Sequence, residues 1–329
     1  MEYIYPKKLK KWDKIMVVAP ARSFKLLSED TVKRAIERLN ELGLEVVFGK
    51  HISECDEFLS SSIESRLEDL HDAFRDDSIA AIFSVIGGSS TNQIVDYIDY
   101  DLIKANPKII CGFSDITVLH NAILAKTWVV TYYWPHFSSW GMKHGFEYSL
   151  EQFKKCCMES EPFDITDSQE WSDDSRYLDQ EKRVFEKNDG AIILQEWTCT
   201  GRIIWGNVEC ICVSMGTPYL PILDEDAILF IEQDAEWNIL RFIRRLEQIF
   251  QSDFSKHVKW IVIGKFQKDN TISIDQLKRI IAAQRKTQWI PIVANVNFGH
   301  TTPISTFPLW GICSLKAKDD SVKISILEH

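Results

Sequence analysis

The sequence predicts a two-domain α/β protein whose first domain is built on a largely parallel sheet. Its first half alternates short apolar strand signals with amphipathic helix signals, the pattern of parallel strands covered on both faces. The stretch from about Glu159 to Gly190 is acidic, lacks a long periodic segment and divides the chain. At 329 residues the chain is also long for one compact core and suits two units of roughly 150 residues. The boundaries read as 1–160, an acidic linker and loop at 161–190, and 191–329.

In order along the chain, Ile15–Val18 is an apolar strand stopped by Ala19-Pro20. Ser28 can cap a helix with the apolar face Val32, Ile36 and Leu39, which ends at Gly43. Leu44–Phe48 reads as the next strand. Ile63, Leu67, Leu70 and Phe74 form a single helical stripe, and Ile79–Val85 follows as a buried strand. After the turn at Gly87-Gly88 come a short helix through Ile94 and Ile98 and the strand Lys108–Cys111. The second half carries strand signals at Gly201–Ile204, Ala227–Ile231, Trp260–Ile263 and Ile290–Ala294, with a helix from about Trp237 to Phe250. Cys210-x-Cys212 places two thiols on one face of a strand; with no CxxC pair among eight cysteines, neither a zinc site nor a disulfide framework is expected.

A net charge of −10 and a pI near 5.4 repel polyphosphate, which argues against a nucleic-acid partner. No apolar run of 18 residues exists, and the basic start MEYIYPKKLKKWDK lacks the apolar segment of a secretory signal, so a cytoplasmic protein with no membrane partner is expected. The eleven Trp and 18 Phe read chiefly as core filling.

Ser114 lies between a buried strand and the apolar-periodic segment Ile116, Leu119, His120, Ile123. A serine on such a turn exposes its Oγ in front of free helix N–H groups that can hold an oxyanion; it can equally be a plain helix cap. Gly87-Gly88 is either a simple turn or a bare N–H for that oxyanion. Glu232 ends the run Ala-Ile-Leu-Phe-Ile, as a solvated loop residue or as the orienter of a histidine. His300 follows the strand ending near Ala294, as a structural residue or as a base. Composition and spacing permit a nucleophile, base and acid drawn from these distant segments.

At these residues the sequence resembles the LD-carboxypeptidase family of serine peptidases, and within it the microcin C immunity branch. The matching segments are Ile86-Gly-Gly-Ser-Ser-Thr-Asn92, Asp96–Lys108, Gly112-Phe-Ser-Asp-Ile-Thr117, Gly216-Thr-Pro-Tyr-Leu-Pro221, Ile228–Glu232, Ile261-Val-Ile-Gly-Lys-Phe-Gln267 and Asn297-Phe-Gly-His-Thr-Thr-Pro303. The resemblance implies a triad of Ser114, Glu232 and His300, with an oxyanion hole from the backbone N–H groups of Gly88 and Asp115. It implies a parallel-sheet N-terminal domain carrying the serine, a β-rich C-terminal domain carrying Glu and His, and a homodimer. The implied activity is cleavage of an amide in a small peptide or peptidyl-nucleotide substrate, without cofactor or metal.

The segment Trp171–Glu181 resembles the longer central loop of the immunity branch, which makes Trp171 and Arg176 candidate substrate contacts. Two positions depart from the family: Arg176 replaces an aromatic residue, and Trp205-Gly206-Asn207 stands where Gly-Gly-Asn is common, adding Trp205 and Asn207 to the candidates. The alternatives are a murein tetrapeptide LD-carboxypeptidase and, from another class, a non-catalytic binder of a small ligand on the same fold. If His300 is the base, kcat/KM should rise through an apparent pKa at or above roughly 6.5.

Overall fold

Ser28 accepts a hydrogen bond from the Thr31 N–H at 3.2 Å, and Gly43 takes up φ +80° just past the other end, so helix α1 (Glu29–Glu41) starts and stops where its sequence directs. The computed structural model describes residues 3–174, 179–236, 238–270, 272–287 and 289–329. Around α1 lie β1 (Lys14–Val18), β2 (Glu45–Phe48), α2 (Ile63–Arg75), β3 (Ile79–Ser84), α3 (Tyr100–Ala105), β4 (Ile109–Gly112), α4 (Thr117–Thr127) and β5 (Tyr132–Tyr133). After α5 (Glu147–Cys157) come β6 (Phe163–Ile165), β7 (Glu170–Trp171), β8 (Glu186–Lys187), β9 (Ile192–Gln195), β10 (Trp197–Asn207), α6 (Val208–Ser214), β11 (Ala227–Glu232), α7 (Ile239–Gln251) and β12 (Val258–Gly264). The chain closes with α8 (Ile274–Ala283), β13 (Ile292–Val296), β14 (Phe307–Pro308), β15 (Ile312–Lys318) and β16 (Ser321–Glu328).

Two mixed sheets form the scaffold. In the first, β2-β1-β3-β4-β5 run parallel, and β14 from the far end of the chain closes the edge antiparallel to β5. The strand order reverses between β1 and β3, so the crevice of this sheet opens at the carboxyl ends of those strands. The second sheet has the order β6-β16-β15-β10-β11-β12-β13-β9, with a parallel centre from β10 to β13 and antiparallel flanks. One apolar core joins both sheets, with Trp134, Trp140, Trp205 and Trp310 fully buried.

Some local expectations fail for identifiable reasons. Cys210 and Cys212 lie on helix α6, not on a strand: the Asn207 side chain accepts from the N–H groups of Glu209 and Cys210 and starts a helical turn. The short helix through Ile94 and Ile98 is two 3₁₀ turns, Thr91–Gln93 and Val95–Tyr97, and the α-helix begins after Asp99, whose carboxylate accepts from Leu102 N–H. The acidic stretch supplies β6, an edge strand of the second sheet, and the two-stranded ribbon β7-β8. All eight cysteines are free thiols, and among the described residues no helix is long and apolar enough to cross a membrane.

Candidate functional site

Strand β4 is buried along its whole length and delivers the chain into a tight turn where Ser114 has φ +59°. A non-glycine residue in that region costs about 1–3 kcal/mol and persists only where its surroundings hold it. No side-chain cap bonds the start of the 3₁₀ turn Ser114–Ile116 or of α4 behind it, so Ser114 does not act as a helix cap. The loop after β3 packs directly on the serine: a methyl at Gly87 would lie 3.0 Å from Ser114 Cβ and 3.2 Å from its Oγ. Gly88 abuts Ala21 and Arg22, which follow β1. The serine turn thus borders the crevice between β1 and β3.

Glu232 ends β11, and its side chain is buried. Its Oε2 lies 2.7 Å from His300 Nδ1, so a buried carboxylate holds one ring nitrogen of the imidazole. His300 can approach because Gly299, at φ +112°, turns the chain beside Glu232 Cβ where a side chain would be strained. Tyr133 of β5 clamps the same turn, its hydroxyl accepting from Gly299 N–H at 2.8 Å and donating to Gly299 C=O at 3.4 Å. The ring of Phe113, next to the serine, lies 5.3 Å from the His300 ring between centroids. The segments of Ser114, Glu232 and His300 therefore meet at the carboxyl ends of parallel strands from both sheets. A histidine with Nδ1 on a buried carboxylate presents Nε2 as an acceptor, which is what withdrawal of a hydroxyl proton requires.

Asn207 ends β10 and is buried, its backbone N–H donating to the Thr117 hydroxyl oxygen at 3.2 Å and its Nδ2 donating to Asp234 Oδ2 at 3.2 Å. Burial raises the Asp234 carboxyl above its ordinary range; His300 pulls it back and Glu232 adds to the rise. Trp205, expected beside the substrate, is a core residue: its ring is 5.0 Å from both His120 and Tyr133 and almost no surface is open. Trp171 is partly buried on β7, with Lys265 Nζ 4.8 Å and Lys268 Nζ 5.5 Å from its ring. Arg176 lies outside the described residues. Asp115 is buried and follows the serine at the start of the turn.

Sequence reasoning missed three groups here. His136 stacks on Phe113 at 4.3 Å. The Ser84 hydroxyl donates to Cys111 C=O at 3.0 Å and accepts from His136 Nδ1–H at 2.8 Å. Lys265 is buried, with its ammonium on Asn188 Oδ1 at 2.9 Å and Asn295 Oδ1 at 2.6 Å, and burial lowers its pKa to about 8. Backbone bonds between Ser172 and Thr302, at 2.8 and 2.7 Å, staple the central loop to the His300 turn. Lys265 directly follows β12, within the segment Ile261–Gln267 that carries the family resemblance, and that position was the signal that could have found it; the His136 stack and the Ser172–Thr302 bonds depend on distant segments. Among the described residues no group of three or more His, Cys, Asp or Glu side chains is arranged to hold a metal ion.

Sequence models of the LD-carboxypeptidase N-terminal and C-terminal domains match residues 15–134 and 200–315, which contain Ser114 on one side and Glu232 and His300 on the other. The chain belongs to the LD-carboxypeptidase family. This LD-carboxypeptidase-family chain is 45% identical over 326 residues to the putative carboxypeptidase YocD of Bacillus subtilis, covering 99% of itself and 100% of that protein. It superimposes with a TM-score of 0.96 on an MccF-like protein from Bacillus anthracis, at 45% identity, with 99% and 100% of the two chains covered. It is also similar to the microcin C7 self-immunity protein MccF of Escherichia coli, at 29% identity over 90% of this chain and 88% of that one. The structure of MccF with aspartyl sulfamoyl adenosine matches at a TM-score of 0.89 and 26% identity, with 99% of each chain covered.

Proposed function

We propose that this protein is a serine amidase that cleaves an aminoacyl or peptidyl amide in a small conjugate of the kind MccF is found with, an aminoacyl sulfamoyl nucleotide. The observation that carries the reading is the Glu232–His300 pair at 2.7 Å, set at the carboxyl ends of parallel strands beside a serine at φ +59°. Ser114 attacks the carbonyl and His300 takes its proton, returning it to the leaving amine as the C–N bond breaks; water, deprotonated in turn by His300, then attacks the acyl-serine ester and releases the free acid and Ser114. Glu232 holds the imidazole in orientation and stabilises the imidazolium as it forms. The N–H groups of Gly88 and Asp115 receive the developing oxyanion. Trp171, Asn207 and Arg176 belong to the substrate side of this reading. The homodimer and cytoplasmic location implied by the family resemblance go with it, and light scattering tests the first.

The immunity-like substrate is favoured over a murein tetrapeptide by the central loop: its ribbon β7-β8 and the Ser172–Thr302 bonds bring it against the His300 turn, where a bulky leaving group would sit. Wild-type protein and the Ser114→Ala variant incubated with aspartyl sulfamoyl adenosine and with a murein tetrapeptide test this directly. The expected result is release of aspartate by the wild type alone. Efficient removal of terminal D-alanine with the adenosine conjugate left whole would reverse the substrate assignment; turnover by Ser114→Ala at the wild-type rate would remove the mechanism. A folded wild type inert on both would favour the ligand-binding alternative.

A further inference from the structure

A carboxylate beside the proposed nucleophile is not spent on the triad. Asp115 is buried, and its Oδ2 accepts three hydrogen bonds from the loop after β3: Ser90 N–H at 2.9 Å, Thr91 N–H at 2.9 Å and the Thr91 hydroxyl at 2.7 Å. Ser90 and Thr91 begin the 3₁₀ turn Thr91–Gln93, which has no side-chain cap of its own from Ser90. The cap comes from 24 and 25 positions along the chain.

The opposite side of the loop is held as well. Arg66 of α2, itself buried, donates to Ser90 C=O at 3.1 Å, Gln93 Oε1 at 2.7 Å and Pro20 C=O at 3.4 Å. Just before these anchored residues the same loop sets Gly87 against Ser114 and Gly88 against Ala21 and Arg22. One N–H of the proposed oxyanion hole is on this loop and the other is the backbone of Asp115 itself. The side chain of Asp115 thus ties Ser90 and Thr91, two and three positions past Gly88, to the serine turn.

We propose that the Asp115 carboxylate is a positioning residue: it ties the loop 86–92 to the serine turn and so holds the N–H groups of Gly88 and Asp115 at the separation that an oxyanion needs. This rests on the reading of Ser114 as nucleophile. Oxyanion donors act only where their geometry is fixed before charge develops, and loss of one such donor typically costs about 10²–10³ in rate. A displacement of about 1 Å alone can cost about 10². A carboxylate accepting three bonds at one oxygen is a strong clamp, because charge-assisted bonds are roughly twice as strong as neutral ones. A merely structural cap would instead lower stability and leave the chemical step untouched.

The test uses the full-length protein and an alkyl fluorophosphonate, with the saturating rate of adduct formation and the half-saturating concentration measured separately by intact mass. Asp115→Ala should lower the saturating rate about 10²-fold or more with half-saturation changed less than threefold. Asp115→Asn keeps an oxygen acceptor for the same N–H groups and should recover to within about tenfold of wild type, and Thr91→Val, which removes one of the three bonds, should fall in between. The acid limb of the pH profile should not move in any of them. If Asp115→Ala melts lower yet reacts within threefold of wild type, the side chain is a structural cap and the proposal is wrong. Should Asp115→Ala fail to fold, wild-type rates in both Asp115→Asn and Thr91→Val overturn it. Loss of the underlying reading looks different: Ser114→Ala would then remain active, or folded wild type would take no label at all.

Discussion

Gly87→Ala probes the contact between the loop and the serine with one methyl group. That methyl would stand 3.0 Å from Ser114 Cβ, 3.2 Å from Ser114 Oγ and 3.5 Å from His136 Nε2. Ordinary contact begins near 3.4 Å, so the serine or the loop must yield by about 0.4 Å. Gly87 is not among the glycines with positive φ, so the backbone accepts alanine, and the overpacking should cost only about 1 kcal/mol of stability. Catalysis is less forgiving. Displacement near 1 Å costs about 10² in rate, and the methyl also crowds the space above Oγ, so kcat on aspartyl sulfamoyl adenosine should fall about 10–10²-fold. The assay pairs steady-state turnover with a thermal melt of the same preparation. Wild-type kcat in Gly87→Ala would refute the claim that the loop is seated on a reacting serine.

Two further predictions follow from the charges at the site. Glu232→Gln preserves shape but removes the charge that holds the imidazolium, so kcat should drop about 10⁴-fold with the melting temperature nearly unchanged; a drop under tenfold would contradict the role given to the carboxylate. Burial lowers Lys265 to about pKa 8 in the fold, so between that pH and the ordinary lysine value the unfolded chain binds more protons and stability rises with pH. Wild type should therefore gain stability relative to Lys265→Gln between pH 7 and pH 10 in urea titrations, and a constant difference would refute the assignment.

The parts of the fold legible in the sequence are those decided locally. Ser28 and Gly43 bound α1 because one side-chain oxygen and one left-handed backbone suffice. Glu232 and His300 stood out because each follows an apolar strand at its carboxyl end, where α/β sheets place their ligands. Helix α6 was misread because Cys210 and Cys212 suggest a period of two, while the deciding group, the Asn207 side chain, belongs to the strand before it. Helix α8 went unread although Ser273 and Gln276 form a reciprocal capping box. The roles of Tyr133, His136 and the Asp115 side chain depend on segments tens of residues away, and no local pattern encodes such an approach. Trp205 departs from the family's glycine, but the space that it fills became visible only with Tyr133, His120 and Phe307 around it.

The central claim is that Ser114 is a nucleophile activated by His300. Peptide mapping after exposure to a fluorophosphonate measures this without knowledge of the natural substrate, because an activated serine is phosphonylated and a structural one is not. The account predicts one adduct per chain, on the peptide containing Ser114, absent in Ser114→Ala and formed at least about 10²-fold more slowly in His300→Ala. A folded protein that takes no label, or takes it at another residue with Ser114 unmodified, would contradict it.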